Sequence, residues 1–367
     1  MRIALAKNTL QVPPTYFALS HATMLQGSFD FRFFTLAARV TDPSVRIPVQ
    51  DFVPFRRMDI HLREKLLPAA MPAMSRAIRR FHPAVVHQHF ATWSWPAIHA
   101  AAAADIPVLA TLHGSDVFMA LKPADTAMRR WHHHNVRLVR ERAALLLPVS
   151  RYLADVARSA GFPPAKMEVH YQGIDTDVFV PGDDPHSARV LFVGALAERK
   201  GIRDLVMAST RLVDKVPHEL VVVGSGPLAA ELGAVARDFP HVTLHGQLDR
   251  TGVREQMQRA SVMVVPSGHF DGRREPAGLV LLEAQACGTP VIAYASGGMP
   301  EMVDPESGVL VTEGDAEELA GAIASVLQAD EATAAERRVA ARRFVVEERS
   351  LRGSARELSE YYSLLAR

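Results

Sequence analysis

Cysteine is almost missing. Cys287 stands alone among 367 residues, so no internal disulfide can form. That scarcity favours a reducing compartment, and the apolar setting EAQACGTPV reads Cys287 as buried and inert. No apolar run reaches 18 residues, which leaves no candidate membrane-spanning helix. No basic segment with an apolar signal core precedes the first strand-like run, RIALA, so the expectation is a cytoplasmic protein. Neither a CxxC pair nor a Ser–His–Asp set is evident. The acidic pairs in Asp175-Thr176-Asp177 and Asp183-Asp184 have no converging partners, so no metal is expected. Repeats at solenoid periods and low-complexity tracts are also lacking, apart from the short run Ala100–Ala104, which reads as a helix end.

The net charge of +1 conceals an asymmetry. Residues 1–180 carry 21 basic and 13 acidic side chains, and residues 181–367 carry 20 and 27. Two helix-like segments concentrate the positive charge. One holds Arg56, Arg57, Arg63, Lys65, Arg76, Arg79 and Arg80, the other Arg129, Arg130, Arg137, Arg140 and Arg142. Such patches suit anionic membrane surfaces or phosphorylated acceptors, and solvated helix faces read equally well. No nucleic-acid-binding motif accompanies them, so no nucleic-acid partner is expected. His132-His133-His134 reads as an exposed helix face.

Short apolar strands alternate with helical stretches throughout. They are expected at Arg2–Ala6, Phe31–Ala37, Val85–His87, Val108–Leu112, Leu145–Val149 and Lys166–His170, then at Val190–Val193, Leu220–Val223, Val242–Leu244, Val262–Val265, Val291–Ala293 and Gly308–Val311. Continuous runs such as VVVG and VMVV suggest strands buried on both faces, and the alternation predicts two doubly wound parallel sheets. The segment PGDDPHSAR at 181–189 reads as the boundary. It divides an α/β chain into domains 1–180 and 181–349, followed by a helical tail, 350–367.

The stretch EPAGLVLLE carries the most chemistry. Glu275 and Glu283 lie eight residues apart, and Pro276 suits the first position of a helix. The free N–H groups of Ala277 to Val280 would then form an anion site. Eight residues at helical rise span about 12 Å, roughly a sugar diphosphate from hexose to ribose. An ordinary capped helix with two exposed acids reads the same residues. In TLHGSD, His113 follows a buried strand where ligands bind in such sheets, although a strand-end histidine is often structural. Arg199 and Lys200 in FVGALAERKG could hold a diphosphate or lie on a surface turn. Gly224 and Gly226 in VVVGSGP resemble half a dinucleotide fingerprint. Ala229 stands at the third glycine position and no acid follows at 242–246, which counts against an NAD site. Gly297-Gly298 in ASGGMPE permits a close backbone approach or a tight turn.

Eight segments in order, TLHGSD, PVSRYL, YQGIDTDVF, FVGALAERKG, VVVGSGP, HGQL, EPAGLVLLEAQACGTPVIAYASGGMPE and SGVLV, resemble the glycosyltransferase family-four group of retaining GT-B enzymes. The resemblance implies two Rossmann-like domains facing a cleft, with a C-terminal helix crossing back to the N-terminal domain. It implies an N-terminal acceptor-binding domain and a nucleotide-sugar-binding second domain. Glu275 would contact donor sugar hydroxyls, Glu283 the ribose, and Lys200 with Gly278, Leu279 and Val280 the diphosphate. His113 would touch the donor sugar, and the base would lie near Gln247. Three departures stand out. Ala195 occupies a frequent arginine position, which leaves either Arg199 to supply the charge or a weaker hold on the diphosphate. QVPPTYF replaces a glycine pair, and Gln172 replaces the usual asparagine.

The implied reaction moves a hexosyl group from a UDP- or GDP-sugar to a saccharide or polyprenyl-linked acceptor, without cofactor or metal, as in exopolysaccharide assembly at the inner face of the cytoplasmic membrane. A nucleotide-sugar epimerase and a non-catalytic nucleotide-sugar-binding protein are the alternatives.

Overall fold

The computed structural model describes residues 1–13, 15–53, 67–182 and 188–367. Arg56, Arg57, Arg63, Lys65, Asp183 and Asp184 lie outside the described residues. Two compact units result: Met1–Gln172 with Leu351–Arg367, and Gly173–Ser350.

Unit 1 holds a six-stranded parallel sheet of β1 (Arg2–Val12), β2 (Asp30–Val40), β3 (Val49–Asp51), β4 (Val85–His89), β5 (Val108–Leu112) and β6 (Leu145–Pro148). Its order is β3-β2-β1-β4-β5-β6. Every residue of β4 and β5 is buried, as a sheet covered on both faces requires. The helix Leu351–Leu365 contributes Leu358 and Tyr362 to this unit's core, beside Ile3, Phe31, Phe33 and Leu109.

Unit 2 repeats the plan with β7 (Arg189–Val193), β8 (Glu219–Val223), β9 (Val242–Gly246), β10 (Val262–Val265), β11 (Val291–Tyr294) and β12 (Val309–Val311). The order is β12-β11-β10-β7-β8-β9, again parallel. Val190, Phe192, Leu220, Val222, Val262 and Val264 form the centre of its core with Ile202, Leu205 and Ile323 from the helices. Cys287 is buried, and burial pushes its thiol up to about 12, which leaves it unreactive at neutral pH.

Three local expectations are corrected. Lys166–His170 is no strand. Met167 makes only an isolated bridge to Leu146, and Pro164–Lys166 coils as a 3-10 turn. Val49–Asp51, unforeseen, is the edge strand instead. The division between units falls at Gln172/Gly173, ahead of 181–189. Arg342 donates to the Phe179 and Thr176 carbonyls, Gln258 to that of Val180, and Ile174 N–H to Arg349 O, which bind the intervening segment to unit 2. His132, His133 and His134 are half-buried rather than exposed. Trp93 packs edge-on against His132, and the His133 ring lies 2.8 Å from the Lys122 carbonyl.

Candidate functional site

In unit 2 the chain builds β7, β8 and β9 outward in one direction and β10, β11 and β12 in the other. β7 and β10 therefore flank a topological switch point, where the carboxyl ends of parallel strands leave a crevice. The turn after β7 carries Arg199 and Lys200 in the 3-10 helix Glu198–Lys200. Gly201 ends it at φ +63°, so close to β10 that a Cβ there would lie 1.8 Å from the Pro266 carbonyl oxygen. Lys200 is thereby directed across the switch point. Its Nζ lies 2.7 Å from Glu275 Oε2, and Arg199 approaches the same oxygen at 3.4 Å. Lys200 and Glu275 side chains are only 15% and 20% exposed, whereas Arg199 is 51% exposed.

Glu275 is held from its backbone. Its carbonyl accepts from Gly298 N–H at 2.9 Å, and Gly297 turns at φ +59° where a Cβ would lie 2.4 Å from that carbonyl oxygen. Gly297 thus serves close approach, with no side chain fitting. This extended path also moves the helix start. The helix runs Leu279–Ala286, with Gly278 before it and no side-chain cap, so Pro276 lies outside it. Leu279 and Val280 open the helix, and the dipole at its start favours an anion beside the first turn.

Glu283, a turn further on, is half-buried. Burial pushes its carboxyl up to about 7, and Arg250 opposes the shift. Gly224 follows β8 and packs against the Gly194 carbonyl, while its N–H donates to Gly246 O at 2.8 Å. Gln247, just beyond β9, is exposed. Arg199, Lys200 and Glu275 therefore meet directly. Gly224, Gln247 and Gly278–Val280 occupy the same edge of the sheet, and Glu283 stands apart with Arg250.

Sequence reasoning missed a second acid here. Glu313, two residues past β12, accepts from Arg274 Nε at 3.1 Å and from the His269 N–H. Burial alone would raise its carboxyl, but these bonds hold it below the usual range. Its place after a strand end was the available signal. Arg250 was missed as well, and gave none.

Unit 1 places His113 just after β5, ahead of the helix Ser115–Leu121. Asp116, fully buried, accepts from the N–H groups of Ala91, His113 and Gly114, which ties the loops after β4 and β5 together. His113, half-buried, adjoins the buried histidines His89, His87, His21 and His170. Burial drives all of them toward the neutral form, His89 to about 3 with Lys7 adding to the effect.

Residues 18–178 match the family described as Glycosyltransferase Family 4, and residues 187–329 that described as Glycosyl transferases group 1. Over 275 residues the chain is 31% identical to a GDP-mannose-dependent alpha-(1-6)-phosphatidylinositol monomannoside mannosyltransferase of Mycolicibacterium smegmatis, covering 70% of each. The chain belongs to the glycosyltransferase family-four group. A glycogen synthase of Mycobacterium tuberculosis is 33% identical over 284 residues. That match covers 72% of this family-four chain and 64% of the synthase, so the chain spans less than two thirds of that relative. The fold is that of Anabaena HepE, solved in complex with UDP-glucose, at a TM-score of 0.79 and 19% identity over 99% of this chain and 100% of that one. It is a GT-B fold of two Rossmann-like units. Among the described residues no helix is long and apolar enough to cross a membrane.

Proposed function

We propose that this family-four chain transfers a hexosyl group from a nucleoside diphosphate sugar to an acceptor hydroxyl, with retention of anomeric configuration. The observation that carries the reading is the Lys200–Glu275 pair at the switch point of unit 2, next to the uncapped helix at Leu279. A diphosphate suits this place, because a lysine and an arginine meet at Glu275, four residues before the helix opens at Leu279. In the reaction the glycosidic C–O bond to the diphosphate breaks and a bond to the acceptor oxygen forms. The departing phosphate gains negative charge and takes the acceptor proton. Lys200, Arg199 and the Gly278–Val280 backbone stabilise that charge electrostatically, so no metal is required. Arg199, reaching the same carboxylate oxygen as Lys200, supplies the charge that Ala195 lacks.

Glu275 holds hydroxyls of the transferred sugar, Glu283 those of the ribose, and Gln247 and Gly224 border the base and phosphate. His113 contacts the donor sugar, and unit 1 binds the acceptor. Exposed Arg76, Arg79, Arg80, Arg130, Arg137 and Arg142 in unit 1 favour a lipid-linked saccharide at an anionic membrane face, as in cell-surface glycan or exopolysaccharide synthesis.

The test is a screen of UDP- and GDP-sugars for thermal stabilisation and nucleotide release, with and without a chelator. One donor is expected to stabilise the protein and to release its diphosphate slowly in either condition. Lys200→Ala and Glu275→Ala should each lower turnover at least tenfold, about 1.4 kcal/mol of transition-state stabilisation or more, while the protein stays folded. Full rate in both variants would remove these residues from the site.

A further inference from the structure

Both ring nitrogens of His113 are engaged within unit 1. Its Nε2 lies 3.1 Å from His89 Nδ1, and its Nδ1 lies 3.4 Å from Gln172 Nε2. The ring stacks on Phe90 with centroids 4.4 Å apart and tilts against Phe17 at 4.7 Å. An amide nitrogen only donates, so His113 Nδ1 accepts from Gln172. A neutral imidazole has one N–H, which then sits on Nε2 and is donated to His89 Nδ1. His89 cannot turn easily to do otherwise. It is 3% exposed, and its ring stacks on His87 at 4.4 Å and on Phe33 at 6.4 Å.

The two contacts are unequal. The Gln172 contact is at the long limit of a hydrogen bond, whereas the His89 contact is ordinary in length. Leaving His89 Nδ1 unpaired would cost the desolvation of a buried acceptor. An incoming hydroxyl therefore replaces Gln172 more readily than His89.

We propose that Gln172 and His89 are positioning residues that fix His113 as the Nε2–H tautomer, so that Nδ1 accepts a hydrogen bond from a hydroxyl of the bound sugar in place of Gln172. The inference rests on the reading of His113 as a donor-sugar contact. It makes His113 selective for a sugar position that donates: a deoxy or fluoro sugar at that position loses the bond.

Long-range proton–nitrogen correlation spectra of the labelled full chain report each imidazole tautomer, and His113→Asn assigns the signals. The parent should show His113 as Nε2–H, without titration between pH 5.5 and 8. Gln172→Glu, nearly isosteric but able only to accept, should shift His113 toward Nδ1–H. His89→Phe should mix the two tautomers. In both variants kcat for nucleotide-sugar turnover should fall at least fivefold while KM changes less than threefold. An Nδ1–H ring in the parent, or an unchanged spectrum and kcat in Gln172→Glu, overturns the inference even if His89→Phe does not fold. The expected tautomers in a protein that turns over no nucleotide sugar would support the positioning roles and sink the transferase reading alone.

Discussion

Glu275 Oε2 is shared by two cations that the proposed reaction assigns to the donor's diphosphate. In the donor-free protein the acid and the bases neutralise one another, so neither sign is left uncompensated in a partly buried place. Removing Lys200 therefore has a structural effect as well as a catalytic one, which is why thermal stability belongs beside rate in its test. Glu283 is the opposite case, an acid whose surroundings favour the proton. Its native carboxyl titrates near 7, while an unfolded glutamate titrates near 4.3. Between those values the native state binds more protons than the unfolded one, so this group's contribution to stability falls as pH rises. Above pH 7 the ionised, half-buried carboxylate is a net cost. Glu283→Gln should melt a few degrees higher than the parent at pH 8, and the difference should vanish near pH 4. The same variant should bind the donor more weakly if the ribose contact holds. A melting difference that does not change with pH would contradict the raised carboxyl.

Turns position Lys200 and Glu275 more than strands do. Gly201 lies where a Cβ would overlap the Pro266 carbonyl and where φ is positive. Gly201→Ala should cost about 3 kcal/mol or more, and calorimetry should show a melting loss of several degrees together with loss of donor stabilisation. A near-neutral result would mean that the turn after β7 relaxes freely. These turns also mark the limit of what the sequence discloses. Runs such as VVVG and VMVV were legible because strands buried on both faces have no polar side to interrupt them. Val49–Asp51 was not, since three residues at an edge carry no period. β1 continues through Lys7 and Asn8 to Val12 only because β2 beside it is equally long, a reason local sequence cannot contain. Glu275, Lys200 and His113 could be picked out by their places after strands. That Lys200 and Arg199 share one oxygen, or that Gln172 meets His113 across 59 residues, depends on close approaches that only the folded backbone defines. Pro276 suggested a helix start three residues early because nothing in the sequence shows the Glu275 carbonyl committed to Gly298.

At the scale of the whole molecule, the chain returns to complete what it began. Helix Leu351–Leu365 belongs to unit 1, where His170 lies 2.9 Å from the Ser354 carbonyl, Tyr362 OH lies 2.6 Å from His87 Nδ1, and Tyr362 is 1% exposed. Deleting 351–367 would open the core around Ile3, Phe31 and Leu109 and leave buried histidines without partners. Hydrogen–deuterium exchange of that deletion should show protection lost across residues 1–172 and retained across 173–350. Equal loss in both would mean that the two units do not fold separately.

The same feature orders events during synthesis. The first 172 residues leave the ribosome early, yet they lack the helix that seals their core. Unit 2 emerges later with all of its own strands and helices in one uninterrupted stretch. Domains commonly fold in the order they are made. Here that order is inverted: the later unit can finish first, and the earlier one waits, with apolar surface open, until the segment from Leu351 arrives. Dependence on chaperones should therefore concentrate in the first-made half, and a ribosome paused before residue 351 would hold it there.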